Sequence, residues 1–195
     1  MNLAFDIFQG IGVASAVGIR PFLPALAVGG LAAGDVEIQF KGTDYSFLQS
    51  VPFLLGMAVG VILIALLERR YADRLERRPG IFVLAGIALA LGALLFAGSL
   101  ARGHYTAWPG LIGGVLCAAV GTAAIVPLLR RVRGRLDHDA AQAVPLYAEA
   151  AALVFAVLSV VAPPVGVIVL LLLLWLLLAG RGREEQKYAG LRILR

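Results

Sequence analysis

The chain has 195 residues, 61% hydrophobic and 15% charged, with a net charge of +5. Soluble domains average about 45–50% apolar and about 25% charged residues, so the composition excludes an ordinary water-soluble fold. The lone cysteine, Cys117, excludes an intrachain disulfide or a thiolate metal site.

Hydropathy and charge together predict an all-α polytopic membrane bundle of about six spans. The first, residues 4–33, carries Arg20 near its middle in the run Val17-Gly18-Ile19-Arg20-Pro21-Phe22-Leu23-Pro24. A guanidinium at that depth is costly and marks a partner or a wet cavity. The two prolines remove backbone donors and break the helix. The opening Met1 to Asp6 has no basic n-region, so this span is expected to remain in the mature protein.

Residues 34–47 hold Asp35, Glu37 and Asp44 against Lys41 and are expected outside. Span two, 48–68, closes on Glu68-Arg69-Arg70-Tyr71-Ala72-Asp73, and residues 69–79 contain five arginines. Span three covers 80–100, a near-neutral loop 101–107, and span four 108–130. A basic loop, 130–144, leads to spans five (145–162) and six (163–180), both short, joined at Pro163-Pro164, and either full or re-entrant. Residues 1–180 form one membrane domain, followed by a basic tail, 181–195.

Fourteen of the seventeen Lys and Arg residues lie in 69–78, 130–135 and 181–195. Basic loops beside spans stay in the cytoplasm, which predicts N-in and C-in. The basicity therefore reads as topology and points to membrane lipids, not nucleic acid, as the partner.

Sliding residues 10–26 onto 113–129 aligns Gly10 with Gly113, Gly18 with Gly121, and Pro24 with Pro127. Two three-span halves, about 1–100 and 101–180, must be inverted relative to each other, each opening on a broken helix. That is the pattern of a midplane transport site. The candidate substrate-binding residues are Arg20, Gly18, Pro21, Pro24, Gly121 and Pro127. Glu149, Glu68 and Asp73 are the candidate ion-pair or gating acids. The bland reading of Arg20 is a structural ion pair, and of Glu68-Arg69-Arg70 a salt-bridged helix end. The pairs Gly30/Gly34, Gly56/Gly60 and Gly110/Gly114 have the spacing of close-packed membrane helices and read as internal packing more than as a dimer face.

No hydrolase, metalloprotease or phosphate-loop signature occurs, and Asp137-His138-Asp139 reads as a solvated loop. An enzyme, a cofactor and a metal are therefore not expected.

The runs Gly10-Ile11-Gly12 and Gly18-Ile19-Arg20-Pro21-Phe22-Leu23-Pro24, together with Glu68, Ala72-Asp73 and the ending Lys187 to Arg195, resemble a bacterial integral-membrane family, domain of unknown function 4126. The resemblance covers nearly the whole chain, although Pro79 comes later than the family's usual proline. It implies a multi-pass protein of the bacterial inner membrane and supplies no activity. The expected function is a small transporter or exporter of an anionic solute or lipid phosphate, which six short spans would favour building as a homodimer. A non-transporting membrane scaffold is the alternative, and a gated channel the third reading.

Overall fold

The computed structural model describes residues 2–75 and 78–191, with side chains except at 69, 71–79, 138, 139, 141 and 181–191. Among these residues the protein is mainly helical, without strands. Its helices are α1 (Leu3–Ile19), α2 (Phe22–Ala33), α3 (Val51–Leu75), α4 (Arg78–Arg102), α5 (Trp108–Arg133), α6 (His138–Val161) and α7 (Pro164–Leu191), with one 3-10 turn at Ser46–Gln49.

Four stretches are long and apolar enough to cross a membrane: Val51–Glu68, Gly80–Arg102, Trp108–Arg133 and Gln142–Val161. Leu3–Ile19, Phe22–Ala33 and Pro164–Gly180 are shorter apolar helices. Large apolar side chains such as Leu55, Ile62, Phe82, Leu116 and Leu171 stay exposed. On a membrane bundle this is the surface that lipid covers. Trp108 and Tyr147, both largely exposed, sit near opposite ends of the bundle, as interfacial aromatics do.

The predicted first break is present. Arg20 adopts an extended backbone, φ −145° and ψ 119°, because the ring of Pro21 disfavours the helical region for the residue before it. Pro21 and Pro24 then fall at the start of α2, where a missing N–H leaves no intrahelical bond unmade.

The chain after the break turns back. At the start of α1, Asp6 Oδ1 accepts a hydrogen bond from Arg102 Nη2 at 2.8 Å, and the same guanidinium donates to the carbonyl of Glu37, just beyond α2. Along α2, Phe22 packs on Gly60 at mid-α3, whereas Gly29 packs on Leu48, Phe53 and Leu54 near the start of α3. So α1 and α2 form a hairpin whose two open ends meet at one end of the bundle. This corrects the expectation of one broken span over 4–33: the start of α1 and residues 34–47 lie at the same end, not across the bundle from each other. Hydropathy over thirty apolar residues carries no information about direction, and two helices of 17 and 12 residues span only about 26 and 18 Å at 1.5 Å per residue.

The second predicted break is absent. Helix α5 runs unbroken from Trp108 to Arg133 through Gly121 and Pro127, because one interior proline lacks the closely spaced partner that Arg20–Pro21–Pro24 supply. The inversion of the halves is not met either. Gly10 and Gly113 both face the ring of Phe96, and a Cβ on Gly121 would lie 3.0 Å from the Gly18 Cα. Aligned positions are therefore side-by-side neighbours, and α1 and α5 run parallel. The similarity of residues 10–26 to 113–129 encodes a close-packed seam of small residues. The helices that carry predicted spans five and six have 24 and 28 residues; Gln142–Val161 is long and apolar enough to cross a membrane, and Pro164–Gly180 is a shorter apolar stretch. The predicted tail continues α7 as far as Leu191, and residues 192–195, with the end of the family-like run, lie outside the described residues.

Helix α1 forms the axis of the fold, touching α4, α5, α6 and α7. Its buried Val13 and Val17 join Val28, Leu95 and Val160 with Ile38, Phe40 and Leu48 from the 34–50 segment in one core cluster.

Candidate functional site: a buried arginine at a helix break

Arg20 is 7% exposed and projects from the tip of the α1–α2 hairpin. Its Nη1 donates to Glu68 Oε1 at 2.6 Å, a charge-assisted bond that ties the tip to α3. Glu149 Oε1 on α6 lies 3.9 Å from Arg20 Nε. Both candidate acids thus converge on Arg20, with Glu68 as the close partner. Asp73 lies within α3, but its side chain is outside the described residues.

The trio is incompletely satisfied. Arg20 Nε and Glu149 Oε2 are both buried and make no hydrogen bond among the described residues. Buried polar atoms without partners are rare and costly. Here one donor and one acceptor remain over at the edge of a cavity of about 130 Å³. That volume suits a small solute, since drug-sized pockets run about 300–1,000 Å³. The cavity is lined by Arg20, Glu68 and Glu149, by Thr122 on α5, and by Arg130 and Arg133 towards the arginine-rich end of the bundle.

Of the other predicted residues, Gly18 and Pro21 line the same cavity. Gly18 has a packing reason to be glycine: a Cβ there would come 2.9 Å from the Ala118 Cα. Gly121 lies behind it as its seam partner, Pro24 is buried in the first turn of α2, and Pro127 sits within α5; these three shape the surroundings of the cavity.

Sequence reasoning missed Thr122, whose single O–H lies 2.9 Å from both the Gly18 carbonyl of α1 and the Ala118 carbonyl of its own helix, just before the break. It also missed Asp6, Gln9 and Arg102 at the opposite end of α1. Asp6, an acid with no exposure in an apolar helix, was the available signal.

The chain matches no family model, no curated protein and no solved structure. The class of the protein, a helical membrane bundle, therefore rests on its own sequence and geometry.

Proposed function

We propose that the protein is a small transporter or exporter that passes an anionic solute or phosphate-bearing headgroup over Arg20. One observation carries this reading: a buried guanidinium at a broken helix, its Nε 3.9 Å from Glu149 Oε1 and without a hydrogen bond among the described residues, lines a solute-sized cavity. Among the described residues the cavity lining holds Arg20, Arg130 and Arg133 beside Glu68 and Glu149, and a guanidinium fork suits carboxylate or phosphate. Glu68 is then the resident counter-ion that a substrate anion displaces. The positive-inside bias places the arginine-rich end in the cytoplasm. With the hairpin, that orientation becomes N-out and C-in.

A second reading has its own observation. The 2.6 Å Arg20–Glu68 bond is what a non-transporting scaffold needs to fasten α3. Proteoliposome flux separates the two. On the transport reading, Arg20→Lys keeps the fold and loses most anion flux, because an ammonium lacks the planar fork. Retained flux in Arg20→Lys, or no flux of any phosphate or carboxylate through the intact protein, defeats the transport reading.

A further inference from the structure

The Arg20 cavity has one wall that its charges do not explain. Helix α4 lines it with Ile81, Leu84, Ala85 and Ala88, an i, i+3, i+4, i+7 stripe of the kind that ordinarily packs against another helix. Here the stripe faces the cavity. Ile64 carries the apolar wall onto α3, one turn before Glu68. The charges of the described lining, Arg20, Glu68, Glu149, Arg130 and Arg133, come from α3, α5, α6 and the hairpin tip, and none from α4. A hydrated anion gains nothing from such a wall and gives up water against it. A hydrocarbon chain does gain there, by about fourfold in affinity for each methylene buried.

The same wall borders the bilayer. Helices α3 and α4 touch each other sparsely, whereas α4 packs closely along α5. Beside the lining residues, Ile62 and Leu63 on α3 and Phe82 and Val83 on α4 are more than half exposed. Each helix therefore turns one face to lipid and the adjoining face to the cavity. A volume of about 130 Å³ takes a headgroup and its first methylenes, not a whole acyl chain.

We infer that the occupant of this cavity is a phosphate-headed membrane amphiphile, which enters sideways between α3 and α4 and leaves the rest of its chain in the bilayer. The headgroup's place at Arg20 rests on the reading of that residue given above, whereas the chain's place rests on the apolar wall alone.

Photocrosslinking of the full chain in nanodiscs tests it, with phosphatidic acid that carries a diazirine near the carboxyl end of one acyl chain. Labels should map to Ile64, Leu84 and Ala85 in the cavity as well as to the lipid-facing Phe82. Unlabelled phosphatidic acid should compete away the cavity labels and spare Phe82, and diacylglycerol, which has no phosphate, should compete about tenfold less well. Arg20→Lys should lower cavity labelling about tenfold. Ala85→Trp, which fills the wall, should abolish it, with Phe82 labelling retained as the sign of an inserted fold; the competition on the intact protein decides the matter if that variant does not fold. Labels confined to lipid-facing positions, or cavity labels displaced equally by diacylglycerol and phosphatidic acid, overturn the inference. Arg20-dependent flux of inorganic phosphate through an unlabelled cavity also overturns it and leaves the transport reading standing. Cavity labelling without flux does the reverse, removing transport and keeping the occupant.

Discussion

Arg20 and Glu68 depend on each other because neither charge is free to hydrate fully. Their side chains are 9% and 20% exposed, so removing one strands the other in a low-dielectric pocket. Arg20→Gln is expected to destabilise by about 1–3 kcal/mol, with part of the loss restored in Arg20→Gln/Glu68→Gln. Thermal unfolding in detergent reads this directly; equal stability of the single variant and the intact protein would mean the pair carries no weight. Glycines give a sharper contrast. Gly18→Ala must push a methyl against the α5 backbone and should cost about 1–3 kcal/mol through overpacking. Gly56 has nothing within 4 Å of a notional Cβ, so Gly56→Ala should be neutral or slightly stabilising. The sequence spacing marked Gly56/Gly60 alike, but only Gly60 meets a neighbour, Phe22. A motif reports spacing along one helix and cannot say which side a partner occupies.

At the scale of elements, α3 is the least embedded helix. Val51, Leu55, Val59, Ile62 and Leu66 along it all remain more than half exposed. It is fastened by α2 through Phe22 and Gly60, by the 3-10 turn, and by the Arg20–Glu68 bond. Loss of that bond should loosen the second half of α3 while leaving α1, α4 and α5 intact, since their seam rests on Gly92, Gly110 and Gly114 against backbone. Hydrogen–deuterium exchange on Glu68→Gln is expected to show faster exchange after Gly60 and no change in α4 or α5. The break at Arg20 was legible because sterics before a proline and the cost of a buried charge are local. The missing break at Pro127 and the identity of the nearest acid were not, because both depend on which helices lie alongside. The sequence offered Glu149, Glu68 and Asp73 as acids for Arg20, and the returning hairpin brings Arg20 closer to Glu68 than to Glu149.

For the whole molecule, the decisive feature is the reversal of direction between α1 and α2. It sets the Arg20 cavity and the Asp6–Arg102 pair at opposite ends of one axial helix, with Val13, Val17 and Leu95 packed between them. The loop after α2 reinforces this, because Ile38 and Phe40 are buried in the same cluster and Arg102 clasps the Glu37 carbonyl. Charge counting grouped the arginine-rich loops at one end of the bundle. It misplaced the start of α1, because a span and a hairpin of equal hydrophobicity look identical to it. Phe40→Ala, which empties a fully buried site beside Gly98, should cost about 3–5 kcal/mol and release the loop from the hairpin, visible as proteolysis within 34–47.

Side-specific thiol labelling tests the hairpin most directly. Single cysteines at Asn2, Gly42 and Gly134, in a Cys117→Ala background, are exposed to an impermeant maleimide in oriented vesicles. The hairpin requires Asn2 and Gly42 to react from one side and Gly134 from the other. Reaction of Asn2 and Gly42 from opposite sides would restore a single broken crossing and remove Arg20 from the tip on which the site is built.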